Sequence, residues 1–535
     1  MGRVVAERVA IWITAIIALL ALPTGPAPAQ AQLSEGKGDP SIMAKSPPAL
    51  IRRWIRSRDA VIAASVVVTL GVWTAAWWSW RGANLTAGQL QVQVLAIPQA
   101  PPAFDTASNQ TPQAPPASTA VQSPPPVSPQ APSPSLSIVV LPFANLSKDP
   151  DQQYFADAIT DNLTSSLSRI AEGLVIARNT AFAYRGKSVD AQQIGRELGV
   201  RYVLEGGVRR ADDQVQIYAQ LIDTEDEKQG WTERFDTDPA QLAEAQNEII
   251  LRLAWVSGLK PVDAAAIPVH EQSDADPEAR DWIMRGWAWY HRPYSIKGWQ
   301  EARQDFERAL ETDPHSLDAR IGLATILSGK LAEGWTASLQ QDTARAEQLL
   351  GDALERDANR PAAHFAMGVL RQMQNRLPEA QAEYEAAIAL DHNHAHAYLH
   401  LGQTLMFLGQ PEAGAPHLEK AIRLDPYDPN IATAYWALGT CNLLRGRLEE
   451  AIEVLRKARA ANATLWFPHL YLAGAFALEG DLSEARLALA ESTKLNPAIN
   501  SLARMRQNPW LANPRHWVLQ EQTLNVGLRQ AGFPE

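Results

Sequence analysis

Four histidines lie close together in the sequence, at a spacing that could hold a transition metal. His396 and His400 share one face of a predicted helix, and His392 and His394 precede them. Imidazole nitrogens in such an arrangement can bind zinc or copper. No nearby cysteine or carboxylate pair completes a site, and the cluster begins where other repeats carry a proline. We therefore predict loop and groove histidines, and no metal or other cofactor.

Four aspartates gather near the start of a predicted helix, and carboxylates so grouped could act as acid and base or bind a cation. They are Asp149, Asp151, Asp157 and Asp161. Carboxylates at a helix N-terminus also stabilise the helix dipole and cap free amides. We predict that solvated capping is their role.

Three other groups invite a chemical interpretation, and each has a simpler one. Gly206 and Gly207 lack the strand, glycine and helix context of a phosphate loop and predict a bulge or a strand end. The single cysteine, Cys441, is predicted to be a buried, inert thiol. Four arginines could bind an anion but more simply form a solvated face: Arg178, Arg185, Arg209 and Arg210. The sequence thus predicts no catalytic residue and no enzyme.

Stacked helical hairpins are indicated by a pattern of small and bulky residues between about Asp276 and Pro497. In two consecutive units, corresponding residues such as Gly368 and Gly402 lie thirty-four positions apart. Small residues recur where the two helices of a hairpin would cross, and bulky residues recur where neighbouring hairpins would touch. About six units can be aligned over residues 275–498. An ordinary helical bundle with chance spacing is the alternative.

This pattern resembles the tetratricopeptide repeat family, whose members stack to form a core and leave a groove for a partner. The resemblance implies that the first helix of each hairpin lines the groove. It predicts a protein-binding groove formed by Phe365, Val369, Met373, Leu399, Met406, Phe407, Trp436, Leu443, Phe467 and Leu470. This lining is apolar and lacks the lysine and asparagine set with which some relatives clamp a carboxylate, so it favours an apolar or amphipathic segment. Alternatively, residues Leu502 to Ala531 fill the groove with their own apolar side chains.

Residues 137–260 are predicted to form a small α/β domain. Apolar runs at Ser137–Phe143 and Leu174–Ala177 indicate buried strands. Three further strands alternate as an antiparallel meander, and helices flank the strands. The strands are Tyr202–Arg209, Val215–Asp223 and Gln229–Phe235, and the helices are Asp151–Ile170, Asp190–Leu198 and Pro239–Trp255.

The same segment resembles the N-terminal domain of TolB and its relatives. The likeness lies in LPFANLSKDPDQQYFADAITDNL, VIARNTAFAYRGK, IGRELGVRYVLEGGVRR and VQIYAQLID. It resembles the TolB-like domain that precedes tetratricopeptide repeats in the C-terminal half of bacterial membrane-anchored adenylate cyclase-type signalling proteins. In that architecture a cyclase or winged-helix domain often comes first. Residues before Ala60 show neither paired aspartates for two metal ions nor a recognition helix. The resemblance implies a signalling or envelope role and supplies no reaction.

The N-terminal region predicts a membrane anchor. Residues 60–80 carry no charge and end in several tryptophans, which is typical of a transmembrane helix. The arginines of residues 43–59 place that basic segment in the cytoplasm, so the bulk of the chain is predicted in the periplasm. Residues 1–42 resemble a signal peptide, which would reverse this orientation, or belong to a mis-assigned start before Met43.

Two other segments connect or cover the folded parts. Residues 81–136 are rich in proline, alanine, serine and glutamine, which predicts an extended linker. Residues 499–535 are predicted to form a C-terminal capping segment.

Length and charge complete the functional prediction. The chain has 535 residues, room for several domains, and a net charge of −11, which argues against nucleic-acid binding. We predict a single-pass, inner-membrane, non-enzymatic scaffold or sensor that binds a protein or peptide through its repeats in the periplasm. The alternative is a regulatory subunit of a membrane signalling system with a cyclase or transcription regulator as partner.

Overall fold

The computed structural model describes residues 136–169, 173–187, 189–211, 214–225, 229–239, 241–257, 276–292, 295–332, 338–508, 511 and 513–535. The predicted signal-like start, basic segment, transmembrane helix and linker up to residue 135 lie outside these ranges. Among the described residues, no helix combines the length and the apolar character needed to cross a membrane. The described fold is a small mixed sheet region followed by an all-α tetratricopeptide repeat solenoid.

The sheet region has six strands, in the order β3-β1-β4-β5-β6, with the short β2 also paired to β4. The two pairs formed by β1 are parallel, and β4, β5 and β6 form the predicted antiparallel meander. The strand bounds are β1 Leu136–Val140, β2 Ala144–Asn145, β3 Gly173–Val175, β4 Tyr202–Ala211, β5 Gln214–Asp223 and β6 Gln229–Thr237.

Helices cover both faces of this sheet, because successive strand residues point to opposite sides. Ile138 and Val140 pack into one core with α1 (Gln153–Ser168) and α4 (Leu242–Val256). Val139 packs into the opposite core with α2 (Arg178–Phe182) and α3 (Ala191–Leu198). The sequence pattern predicted neither α2 nor β2, because each is too short to show a period.

The glycine pair in β4 corrects the prediction of a bulge or strand end. Gly206 and Gly207 lie inside a regular register, opposite Ala219 and Tyr218. A Cβ at Gly206 would overlap the carbonyl oxygen of Tyr218, and one at Gly207 would lie 2.7 Å from a methyl of Leu146. Because these neighbouring atoms leave no room for a Cβ, both positions require glycine.

Six helix pairs follow within the described part of the chain. The first helices are α5 Pro277–Tyr290, α7 Leu317–Ala332, α9 Pro361–Met373, α11 Ala395–Phe407, α13 Ile431–Leu444 and α15 Trp466–Glu479. The second helices are α6 Ile296–Thr312, α8 Leu339–Arg356, α10 Leu377–Leu390, α12 Pro411–Leu424, α14 Leu448–Ala461 and α16 Leu482–Leu495. Tetratricopeptide repeats in the C-terminal region are thus confirmed.

The helices of each pair cross where the sequence places a small residue against a bulky one. A Cβ on Gly368 would lie 2.5 Å from the Tyr384 ring, and a Cβ on Gly402 would lie 2.5 Å from Leu418. This close approach explains the thirty-four-residue periodicity, since each of these pairs places a glycine on its first helix against a bulky side chain on its second helix.

Among the described residues after α16 are three short helices: α17 Leu502–Arg506, α18 Pro514–Gln522 and α19 Leu524–Ala531. Their apolar side chains join the core of the last repeats. The backbone N–H of Leu502 donates to the carbonyl of Pro534 at 2.9 Å, which ties the two ends of this segment together.

Candidate functional site

The predicted groove residues all lie on first helices, but most of them are buried. Phe365, Met373 and Phe467 keep intermediate solvent exposure. The other seven are at most 9 % exposed: Val369, Leu399, Met406, Phe407, Trp436, Leu443 and Leu470. Met406, Leu443 and Leu470 are almost completely enclosed, so they offer no surface to a partner in this conformation.

The C-terminal helices cover part of this inner face. The His516 ring Nδ1–H donates to the Met406 carbonyl at 2.8 Å, and the His516 ring lies 5.8 Å from that of Phe407. The Gln520 amide donates to the Tyr471 hydroxyl at 3.0 Å. Burial lowers the pKa of His516 to about 4, which keeps the ring neutral near pH 7. The self-filled alternative therefore describes this stretch of the inner face.

The α/β domain contacts the repeats at several separate points. At the first repeat, the Tyr154 hydroxyl donates to Asp281 at 2.6 Å. At the turn before α11, Asn393 accepts from the backbone N–H of Val175 at 3.3 Å and donates to the carbonyl of Ser168 at 2.9 Å. Two repeat residues, Ala395 and Leu424, belong to the core around α2 and α3. The sheet region is thus packed onto the repeats.

A cluster of buried polar residues also joins the two parts. We call it the latch, and it consists of Asn179, Thr180, His396, Asp425 and Asp428. Thr180 donates to Oδ1 of Asp425 from its backbone N–H at 2.9 Å and from its hydroxyl at 2.6 Å. The Asn179 amide donates to the other oxygen of Asp425 at 3.1 Å. Nε2 of His396 lies 2.9 Å from Oδ2 of Asp428.

Two hydrogen bonds donated by backbone N–H groups extend the latch. The N–H of Ala177 donates to the carbonyl of Leu424 at 2.8 Å, and the N–H of Tyr427 donates to the Thr180 hydroxyl at 2.9 Å. Thr180 is completely buried and Asp425 is 2 % exposed. These contacts fix the short helix α2 against the turn between α12 and α13.

Three of the four histidines of the predicted cluster lie around the Phe365 ring. The ring centroids of His394, His396 and His400 lie 4.9, 6.2 and 5.5 Å from that of Phe365. His394 caps α11 by accepting from the Ala397 N–H. Nδ1 of His400 lies 3.0 Å from the Gln372 side-chain oxygen, and burial lowers the pKa of His400 to about 3. His394 and His400 are thus capping and packing groups of the repeats, whereas His396 belongs to the latch.

One group in the described part of the chain has the atoms for a metal site. His396, Asp425 and Asp428 bring one potential ligand atom each within 4.8 Å of the others. Both oxygens of Asp425 and Oδ2 of Asp428 lie within hydrogen-bond distance of the donors described above, and the Asn430 N–H donates to Oδ1 of Asp428. All three side chains take part in hydrogen bonds of the latch.

The predicted carboxylate and arginine groups pair with each other, which corrects both predictions in part. Asp149 does cap the turn before α1. Asp157 and Asp161 lie within α1 and pair with Arg185 and Arg178, and Arg210 pairs with Asp281 of the first repeat. Only Arg209, which is exposed, fits the predicted solvated face. Since charged residues far apart in sequence form these pairs, local spacing could not reveal them.

Cys441 is buried on α13, where burial raises the pKa of its thiol to about 12. A thiol with that pKa has almost no thiolate at neutral pH, and thiolate is the reactive form. The position fits the predicted inert thiol.

Sequence reasoning missed the residues of the latch other than His396. Asn179 and Thr180 lie inside the motif VIARNTAFAYRGK, where only the arginines drew attention. Asp425 had a visible signal, because Asp313, Asp357 and Asp391 occupy the same position directly after a second helix. A repeated aspartate at a turn indicates a structural role, but the sequence does not show which of the four meets another domain.

The fold and the inner face define a class of protein: helical-repeat proteins with a mixed-sheet domain packed onto the repeats. A family model described as "Tetratricopeptide repeat" matches residues 365–429 and 399–464. A second model, described as "HilA/YgeH-like transcriptional regulator, second domain", matches residues 134–252. The domain predicted to be TolB-like is thus matched by a transcriptional-regulator family model, and its likeness to TolB stays a prediction.

Among curated proteins, a Rhizobium meliloti (strain 1021) protein named "Putative adenylate cyclase 3" is 35 % identical over 245 residues. The match covers 46 % of this chain and 42 % of that protein, so the chain spans less than half of the relative's length.

Solved structures similar to part of this chain include that of Pseudomonas aeruginosa PilF, with 18 % identity and a TM-score of 0.35 over 44 % of this chain and 98 % of that one. Another is YrrB, whose structure is described as a TPR protein with an unusual peptide-binding site. It has 21 % identity and a TM-score of 0.30 over 36 % of this chain and 93 % of that one.

Proposed function

We propose that this chain is a membrane-anchored, non-enzymatic scaffold or sensor that binds another protein through its tetratricopeptide repeats, with most of the chain in the periplasm. The observation that carries the proposal is the row of inner-face residues that stay partly exposed, Phe365, Met373 and Phe467, on a solenoid built for protein contact. The surface is apolar, so the partner contributes an apolar or amphipathic segment.

Phe467 is the residue through which this surface is best tested. Its ring lies 4.8 Å from Trp436 and 5.8 Å from Trp466, so it belongs to an aromatic cluster of the kind that dominates protein interfaces. Leu487, on the second helix α16, is 63 % exposed and provides a matched apolar position off the inner face.

The experiment places a photocrosslinking phenylalanine analogue at Phe467 or at Leu487 in living cells. We expect a discrete crosslinked protein from position 467 and none from position 487. A partner captured equally from both positions, or from neither, refutes binding through the inner face.

The membrane anchor and the periplasmic location are tested by topology. A reporter that is active only outside the cytoplasm is fused after Glu535, in chains that start at Met1 and at Met43. Activity from both supports the proposal, since the basic residues 43–59 then stay inside. Silence from both places the repeats in the cytoplasm.

The second candidate is a regulatory subunit of a membrane signalling system, acting on a cyclase or a transcription regulator. Two similarities favour it: the Rhizobium relative carries a cyclase name, and residues 134–252 match a domain of transcriptional regulators. Here the purified chain is incubated with ATP and magnesium, alone and with membranes. Cyclic nucleotide formed by the chain alone refutes the non-enzymatic proposal, whereas a change in the membranes' cyclase activity favours the second candidate.

A further inference from the structure

A cavity of about 660 Å³ opens in the α/β domain, and all of its lining residues belong to that domain. One wall is formed by residues 141–146, which follow β1, and another by the turn 184–186, which follows α2. The floor is the face of β4, β5 and β6 that carries Glu205, Gln220 and Thr232. Sites that hold small molecules have volumes of about 300–1,000 Å³, so this cavity is large enough for one.

The cavity lies where the order of the strands reverses. β1 is the middle one of three parallel strands, with β3 on one side and β4 on the other. The chain passes from β1 to β3 through α1 on one face of the sheet, and from β3 to β4 through α2 and α3 on the other face. Connections that diverge to opposite faces leave a crevice at the carboxyl ends of the strands, where α/β proteins bind ligands. The segment directly after the carboxyl end of β1 lines this cavity.

A half-buried carboxylate forms part of the floor. Glu205 lies opposite Gln220 on β5, and Gln220 lies opposite Thr232 on β6, so the three side chains share one face of the sheet. Among the described residues, none forms a hydrogen bond or an ion pair with the side chain of Glu205 or of Gln220. A carboxylate that is partly removed from water is stabilised most by a cation that also donates a hydrogen bond.

The other charged residue of the lining is already paired. The guanidinium of Arg185 forms an ion pair with Asp157, which also accepts from the Gln153 amide at 2.7 Å. The positive charge of Arg185 is therefore compensated, and the uncompensated charge among the lining residues is the negative charge of Glu205. A phosphate or carboxylate ligand would be repelled by this charge, so the electrostatics favour a cation.

The rest of the lining favours an organic cation over a metal ion. Calcium and magnesium take several oxygen ligands, whereas the lining residues supply one carboxylate. The rings of Tyr184 and Tyr218 also line the cavity, and aromatic rings attract organic ammonium groups. Leu146 adds an apolar side chain that is 41 % exposed. It lies beside the floor because it packs over Gly207, where a Cβ would be 2.7 Å from one of its methyl carbons.

We propose that this cavity binds a small organic cation, with its ammonium group at Glu205 and its apolar body against Leu146 and Tyr218. The side-chain oxygen of Gln220 accepts a second hydrogen bond from the ammonium group. This site is additional to the protein-binding function proposed above, because it lies in the α/β domain and needs no protein partner.

The test is saturation-transfer difference NMR of the full-length chain in detergent, with phenethylammonium as the probe and protein-free micelles as the blank. For a ligand of this size we expect a dissociation constant on the order of 1 mM. Hydrocinnamate has a similar size and the opposite charge, and it should bind about tenfold more weakly. Equal affinity for the two probes overturns the proposal.

Glu205→Gln is the decisive variant, because it removes the charge and keeps the shape of the side chain. It should weaken phenethylammonium binding about tenfold, which is the lower end of the effect of a hydrogen bond to a charged group. Glu233→Gln is the matched control, since Glu233 lies on β6 and pairs with Arg252 on the opposite face of the sheet. We expect wild-type affinity in this control.

Two outcomes of this comparison overturn the proposal. One is wild-type affinity in Glu205→Gln. The other is an equal loss in both variants, which would indicate attraction of the probe to the overall charge of −11 and no specific site.

Leu146→Ala tests the same cavity if Glu205→Gln fails to fold. Loss of the apolar contact should weaken phenethylammonium binding about threefold. Leu487→Ala is its control, because Leu487 is 63 % exposed on the repeat helix α16. Wild-type affinity in Leu146→Ala, or the same loss in Leu487→Ala, overturns the proposal.

Discussion

Leu524→Ala tests whether the C-terminal helices are held against the inner face of the last repeat. Leu524 is fully buried at the start of α19. Its side chain occupies a notch on α15 at Gly474, where a Cβ would lie 2.5 Å from a methyl carbon of Leu524. Truncation to alanine empties this notch without adding a polar group.

The expected cost follows from the volume removed. A fully buried leucine replaced by alanine loses its transfer free energy and leaves a cavity, which together cost about 2–5 kcal/mol. Because Gly474 offers no side chain to fill the space, we take about 3 kcal/mol for this site. Since 1.4 kcal/mol corresponds to tenfold in an equilibrium constant, local opening of α19 should become about 100-fold more frequent.

The measurement is hydrogen–deuterium exchange of peptides from α18 and α19 at constant pH. Val518→Ala is the control, because Val518 lies on α18 with 54 % of its surface exposed. A surface change of this kind costs less than about 0.5 kcal/mol, which is less than about threefold in exchange rate. We expect fast exchange in Leu524→Ala and wild-type exchange in Val518→Ala.

The reciprocal change sharpens the test. Gly474→Ala pushes a methyl into Leu524 and is expected to destabilise the same helix by about 1–3 kcal/mol. In the double variant the shortened residue 524 makes room, although the new methyl still lies 3.1 Å from the backbone oxygen of that residue. The combined effect should therefore be smaller than the sum of the single effects. Additive effects, or an exchange rate in Leu524→Ala within threefold of wild type, would show that this notch does not hold the segment.

Three further predictions concern other buried groups. Cys441 should not react with thiol reagents at pH 8 until the protein is unfolded in urea, because burial raises the pKa of its thiol to about 12; prompt labelling of the native protein would contradict this. Tyr384→Phe removes the hydroxyl that donates to Gln372 at 2.6 Å and should lower the free energy of unfolding by about 1 kcal/mol, measured from urea curves; an unchanged midpoint would count against the bond. The NMR signals of the His400 ring should not titrate between pH 8 and pH 5, because burial lowers the pKa of this ring to about 3. The folded protein should therefore lose stability as the pH falls below 6.5, where a free histidine becomes protonated. A titration midpoint near pH 6.5 would refute the burial of His400.

The elements of the fold were largely predictable because they are periodic. Helix pairs could be located from small and bulky residues such as Gly368 and Tyr384, which repeat at fixed spacing and meet in the structure. The meander of β4, β5 and β6 could be predicted from alternating strands with short connections. The short elements β2 and α2 could not, because two to five residues carry no measurable period.

The inner face was predicted less well, for a physical reason. First-helix positions such as Met406 and Leu470 have the same apolar pattern whether they face a partner, another part of the chain or the repeat core. Only three-dimensional packing shows that Met406 lies under His516 and that Leu470 is 1 % exposed. An apolar first helix therefore indicates that something covers it, and the sequence does not identify the cover.

The latch is a contact that could not be predicted from the apolar pattern of the sequence. Thr180 and Asp425 are 245 residues apart, and neither belongs to a repeating apolar pattern. Yet they form a buried polar contact between the sheet region and the repeats, in a site where an unpaired carboxylate would be costly. A buried polar contact of this kind adds little free energy compared with an apolar core, but it tolerates few alternative arrangements. The apolar residues therefore account for the stacking of the repeats, whereas the polar residues of the latch fix where the α/β domain sits on them.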